Sequence, residues 1–106
     1  MYATYIGVAT TNPTVLFQND AVRTFMVSLF TVSHGAGGNE TLTLYSVPPG
    51  GTPSASNALL YQVNVASNSY FEIREGWVIP PGNSVQMQSS PATTVVMNIS
   101  GQLIGQ

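Results

Sequence analysis

Cysteine is absent from all 106 residues of the chain. Disulfides, Cys-ligated zinc, thiol catalysis and iron–sulfur clusters are therefore excluded. Charge is nearly as scarce. The six charged side chains, Asp20, Arg23, Glu40, Glu72, Arg74 and Glu75, make up 6% of the chain, against about 25% in an ordinary soluble domain. Lysine is missing altogether, and two arginines cannot build a basic patch that neutralises phosphates. Nucleic acid is therefore not an expected partner, nor is an anionic membrane surface. No stretch approaches the roughly 18 unbroken apolar residues of a membrane-spanning helix. The start, Met1-Tyr2-Ala3-Thr4-Tyr5-Ile6, has neither the basic nor the apolar segment of a signal peptide.

Thr, Ser, Asn, Gln and Gly stand where charge is missing, beside 43% apolar residues. Disorder needs low hydrophobicity together with high charge, and this chain has neither. Its length corresponds to one domain, residues 1–106. A chain of this size buries roughly 60–70% of its unfolded surface, enough for one core. With a net charge of −2, the folded surface has little electrostatic repulsion to keep copies apart.

Strand formers and turn residues alternate along the chain, and no segment repeats apolar residues at helical spacing. The pattern predicts strands at Tyr2–Ala9, Thr14–Gln18, Val22–His34, Glu40–Val47, Ala58–Val65, Ser69–Arg74, Ser84–Ser89 and Thr93–Ile104. Trp77–Ile79 leads into the Pro80-Pro81-Gly82-Asn83 turn. About eight short strands without helical crossovers predict an all-β fold, an antiparallel two-sheet sandwich of jelly-roll type. In the longest strand, Phe25, Val27 and Leu29 alternate onto one face, while Met26, Phe30 and Val32 fall on the other. Apolar residues on both faces predict a central strand or one covered by a neighbouring subunit. Tyr2, Tyr5, Met26, Phe30 and Val32 are the candidate contact residues for an interface with a neighbouring subunit.

Chemistry is hard to find. His34, the one histidine, ends a strand before Gly35, where a solvent-exposed structural histidine is expected. Asp20 is the one aspartate, and no G-x-S-x-G marks a nucleophile. Glu72 and Arg74 fall on one side of a strand and read as a surface ion pair. Nothing places Glu72 and Glu40 across a cleft at glycosidase separation. Asn19-Asp20 reads as a turn, since calcium needs several carboxylates. Gly35–Gly38 lacks the Lys-Ser/Thr and the helix of a phosphate loop. Asn39-Glu40-Thr41 and Asn98-Ile99-Ser100 match the glycosylation sequon, a triplet common by chance. Tyr2, Tyr5, Tyr45, Tyr61, Tyr70 and Trp77 can be read as a sugar-binding platform. Tyr61 and Trp77, however, sit in apolar runs that read as core, and Tyr2 and Tyr5 are expected at the surface or an interface. No enzymatic activity, cofactor or metal is expected.

Three segments carry a resemblance: Glu40-Thr41-Leu42-Thr43-Leu44-Tyr45, the loop Gly51-Thr52-Pro53-Ser54-Ala55-Ser56-Asn57-Ala58, and Glu75-Gly76-Trp77-Val78-Ile79-Pro80-Pro81-Gly82-Asn83-Ser84-Val85. From about Pro13 to Gly105 the chain resembles small β-sandwich accessory proteins of tailed-phage virions, the capsid decoration or cement class. The resemblance implies a non-enzymatic homo-oligomer, commonly a trimer, whose partners are copies of itself and the major capsid protein or tail proteins. It implies a place in the virion, on the capsid surface rather than the tail. A chain running from Met1 to Gln106 without an anchoring arm or fibre fits a free-standing subunit. The alternative is a tail-associated or surface module that binds carbohydrate or a receptor.

Overall fold

In a computed structural model, residues 2–35, 38–90 and 95–105 are described. Met1, Ala36 and Gly37 in the glycine loop, the expected strand start at Thr93, and Gln106 lie outside them. Nine strands follow in order: β1 Tyr2–Val8, β2 Thr14–Gln18, β3 Thr24–His34, β4 Glu40–Val47, β5 Ala58–Val65, β6 Ser69–Ile73, β7 Val78–Ile79, β8 Ser84–Ser90 and β9 Val95–Ile104. One short 3-10 turn, Ala55–Asn57, precedes β5.

The strands form two sheets. Sheet A runs β1-β9-β3-β6, with β7 also on β3, and sheet B runs β2-β8-β4-β5. Every pairing among the described residues is antiparallel. β6 pairs with Phe30–His34 and β7 with Phe25–Met26, so together they act as one edge strand interrupted at residues 74–77. Counted that way there are eight strand positions. Successive strands switch sheets except at the β4–β5 hairpin and between β6 and β7, which is a jelly-roll sandwich. The all-β, two-sheet expectation holds.

Alternation puts one face of each sheet into a shared core that includes Phe17, Phe25, Phe30, Leu42, Leu44, Val85, Met97 and Ile99. Tyr5 stacks on Phe17, with centroids 4.4 Å apart and planes within 6°, and Phe17 leans on Phe25 at 5.0 Å. Trp77 packs against the same core beside Phe30, at 5.5 Å, as its apolar neighbours predict.

β3 corrects the expected facing. It is interior, between β9 and the β6/β7 edge, but its ladder with β9 shifts between Val27 and Leu29. Ser28 is the extra residue of a β-bulge, which reverses the phase of everything after it. Phe25 and Val27 point inward before the bulge, and Phe30, Val32 and His34 after it. Leu29 goes outward with Met26. Phe30 and Val32 are both 0% exposed. The two apolar series are therefore one inward face with a slip in register, not two faces.

A second bulge corrects Tyr61. The β4–β5 register jumps between Leu42 and Leu44, and Gln62 adopts a φ of 52°. Tyr61 is thrown outward and is 51% exposed, while Leu60 and Val63 keep their places in the ladder.

Candidate functional site

The outer faces of the two sheets differ in how they are covered. On sheet B, the outward-pointing Thr43, Tyr45 and Val47 are buried although they lie outside the core cluster. The Ala55–Asn57 turn packs on β4, and the Tyr45 hydroxyl donates to Gln88 Oε1 at 3.1 Å. Asn57 fixes the covering loop: its Oδ1 accepts from the Ser54 N–H, and its amide donates to the Thr52 carbonyl. Sheet B's outer face is thus largely closed by the chain itself.

Among the described residues, no loop covers sheet A's outer face. Of the ten large hydrophobic side chains left exposed among the described residues, seven sit there. Tyr2, Ile6 and Val8 come from β1, and Val96 and Ile104 from β9. Tyr70 lies on β6 and Val78 on β7. The registers align them in rows. Val8 faces Val96, Ile6 faces Asn98, Thr4 faces Ser100 and Tyr2 faces Gln102. Thr31, Ser33 and Met26 continue those rows on β3. Among the described strand residues, Glu72 is the only charged side chain on this face. Its charge is matched locally, because Arg74 donates to Glu72 Oε1 at 3.0 and 3.2 Å. Tyr70 donates to Glu72 Oε2 at 3.0 Å. Those hydrogen bonds, Tyr70 first and then Arg74, hold the Glu72 carboxyl below its ordinary range. The Glu72–Arg74 pair is the surface ion pair expected from the sequence. The face is thus poor in charge and sets exposed apolar side chains among the polar Thr4, Asn98, Ser100, Gln102, Thr31 and Ser33.

The five candidate contact residues divide between the two sides of the sheet. Tyr2 is 78% exposed on the outer face, and Met26 is half-buried on the same face. Tyr5 points inward and packs on Phe17. Phe30 and Val32 lie in the core and are not available to a partner, a consequence of the Ser28 bulge. Sequence reasoning missed Ile6, Val8 and Val96. Their alternation was legible, but not which face of β1 would be left uncovered.

The polar residues considered for chemistry have structural surroundings. His34 is buried, 3% exposed, against the expectation of a solvent-exposed ring, and its Nε2 meets the Gly38 carbonyl. The bulge accounts for this by turning His34 inward. Glu40 is also buried, at the start of β4, whereas Glu72 lies on the outer face of the other sheet. Asp20 closes the turn before β3: its Oδ1 accepts from the N–H of Val22 at 2.6 Å and of Arg23 at 3.1 Å. Asn19 is a hub that the sequence did not mark. Buried, it donates to the carbonyls of Arg23, Ile79 and Pro80 at 3.0–3.1 Å and accepts from the Asp20 N–H. Among the described residues there is no ligand-sized pocket, and no group of three or more metal-ligating side chains.

Comparison with solved structures places the fold. The chain is similar to a subunit of Bacillus endospore appendages, described as a novel family of disulfide-linked pili. The TM-score is 0.56 at 13% identity over 98% of this chain and 87% of that one. Lower-scoring likenesses are to infectious bursal disease virus proteins. One from the T13 viral particle has a TM-score of 0.49 at 10% identity, and one from the Gx strain has 0.41 at 10%. Both cover 94% of this chain, which spans about a third of those longer chains. No protein-family model matches the sequence, and no curated protein does. At these identities the likeness concerns the fold.

Proposed function

We propose that this chain is a non-enzymatic structural subunit that associates with copies of itself and uses the outer face of sheet A as contact surface in a larger assembly. The observation that carries this reading is the asymmetry between the sheets. One outer face is covered by the chain's own loop, and the other exposes large apolar side chains such as Tyr2, Ile6 and Val8 among neutral polar ones and is almost without charge. Covering such a face is worth roughly 25 cal/mol for each Å² of apolar surface removed from water, and self-association meets little charge repulsion at a net −2.

The assembly we favour is a tailed-phage virion, in which the chain decorates or cements the capsid beside the major capsid protein. The sequence resemblance supports this. So does a fold shared with the subunit of another protein assembly, the endospore pilus. The disulfide linkage named for that pilus has no counterpart here, since this chain has no cysteine, so its contacts are non-covalent. Tyr2 and Met26 belong to the proposed contact surface, with Ile6, Val8 and Val96. Tyr5 supports it from beneath. The resemblance implies a trimer, whereas a two-fold contact gives a dimer instead; native mass separates the two.

The test is sedimentation equilibrium at tens of micromolar, together with co-sedimentation on tailed-phage particles. A mass of more than one chain and retention on particles are expected. A single-chain mass and no retention would sink the proposal. A second reading, a carbohydrate- or receptor-binding module, draws on the exposed rings of Tyr61 and Tyr70. It predicts glycan-array signals that fall when either tyrosine is replaced by alanine, and a blank array counts against it.

A further inference from the structure

We propose that the open edge of β1 pairs antiparallel with β1 of a second copy, about a two-fold axis passing beside Tyr5. This rests on the self-association proposed above and names the edge that makes it.

An uncovered strand edge offers unpaired N–H and C=O groups to any other strand, and folded proteins normally blunt such edges. Three of the four edges in this sandwich are blunted. The β6/β7 edge is interrupted at residues 74–77 and carries the Glu72–Arg74 pair. β2 has five residues, with a register shift between Val15 and Phe17. β5 is broken by two register shifts and by the left-handed Gln62. β1 is different. Its seven residues pair with β9 without irregularity, and they include no charge and no proline.

The phase of the β1–β9 ladder shows which groups are open. The Ala9 N–H donates to the Val95 carbonyl at 2.9 Å. In an antiparallel pair, hydrogen-bonded and non-bonded positions alternate. Ala3, Tyr5, Gly7 and Ala9 therefore exchange their bonds with β9. Tyr2, Thr4, Ile6 and Val8 turn their backbone N–H and C=O to the empty side.

The same four positions are complementary to themselves. Pairing all seven residues of two copies centres the axis on Tyr5. It sets Tyr2 against the partner's Val8 and Thr4 against the partner's Ile6, all in hydrogen-bonding phase. An aromatic ring against a β-branched side chain is a favourable cross-strand pair, and the two copies cover each other's most exposed apolar residues. No like charges meet. On the inner side Ala3 faces the partner's Gly7, which leaves room. The contact is isologous and yields a dimer, and it joins two bare outer faces into one wider surface.

Proline at position 4 gives a direct test. The Thr4 N–H points to the empty side, so Thr4→Pro removes a donor that only a second copy uses and leaves the β1–β9 bonds in place. The absence of cysteine allows a second, independent measurement. In the proposed register, positions 4 and 6 of opposite copies lie about 5.5 Å apart at Cα, within disulfide range. At tens of micromolar the wild type is expected at the mass of two chains and T4P at the mass of one, with unchanged circular dichroism. The oxidised T4C/I6C variant is expected to run as a covalent dimer on a non-reducing gel, and T4C alone as a monomer. If the wild type associates while T4P keeps its mass and T4C/I6C does not cross-link, the edge is wrong although self-association stands. A single-chain wild type overturns self-association and the edge together. Should T4P misfold, or the two measurements disagree, the cross-link decides.

Discussion

Gly101 of β9 lies opposite Val27 of β3, just where Ser28 bulges out of the ladder. A Cβ at position 101 would strike the Met26 carbonyl oxygen and come within 2.9 Å of Phe25 Cε2. The bulge that sends Phe30 and Val32 into the core therefore depends on a glycine across the sheet. Gly101→Ala is expected to cost about 3 kcal/mol, the upper end of overpacking penalties, because the obstacle is backbone. Gly7→Ala is the comparison. There a Cβ meets the ends of the Met87 and Leu16 side chains at 2.5 and 3.0 Å, which can move, so a smaller loss is expected. Urea unfolding of both variants checks the order.

The two faces of sheet A predict how Phe30, turned inward, and Ile6, turned outward, differ. Phe30→Ala should cost about 3–5 kcal/mol, as for a large core side chain. Ile6→Lys, on the outer face, should leave the stability of the single chain within about 0.5 kcal/mol. It should nevertheless weaken association, because a lysine on a strand edge opposes pairing. Thermal unfolding in dilute solution and native mass in concentrated solution read the two effects separately.

Strand positions were legible because alternation and Gly/Pro turns are local signals. Strands such as Glu40–Val47 and Ala58–Val65 appear at the expected residues. The bulges were not legible. Phe25-Val27-Leu29 is a perfect alternation on paper, and only the phase slip to Phe30-Val32-His34 hinted that Ser28 is extra. A slip of one residue reads equally well as a strand apolar on both faces. Tyr61 was misplaced for a similar reason, since nothing in Gln62 announces a left-handed backbone. The bare face was also hidden. Whether β1 or β4 has its outer side covered depends on where the 48–57 loop packs, which is a tertiary matter.

Asn19 ties the turn before β3 to the turn before β8 through three carbonyls. Asn19→Ala leaves those buried acceptors without their donor, and a loss of about 1–3 kcal/mol is expected. Asn19→Asp should be worse at neutral pH, since it puts a carboxylate against carbonyl oxygens, and should recover as acid protonates it. Unfolding at pH 7 and pH 4 tests both statements.

Acid should destabilise the fold partly through Asp20 and Glu72. Backbone hydrogen bonds from Val22 and Arg23 hold the Asp20 carboxyl below its ordinary value of 3.8. Glu72 is lowered from 4.5 chiefly by Tyr70 and Arg74. A depressed folded-state pKa gives stability that is fully present above the unfolded value and lost as pH falls through the folded one. Both contributions are therefore intact at neutral pH and disappear progressively below about pH 4.5. Asp20→Asn and Glu72→Gln should each flatten the acid limb of a plot of Tm against pH, and an unchanged limb in both would contradict the assignment.

Backbone amide exchange across β1, followed as concentration rises to tens of micromolar, reads the proposed interface most directly. Pairing through the β1 edge of sheet A predicts that exchange at Tyr2, Thr4, Ile6 and Val8, whose N–H groups face away from β9, slows with concentration while β5 and the 48–57 loop are unaffected. Exchange in β1 that is the same at every concentration, or slowing confined to β5, would contradict it.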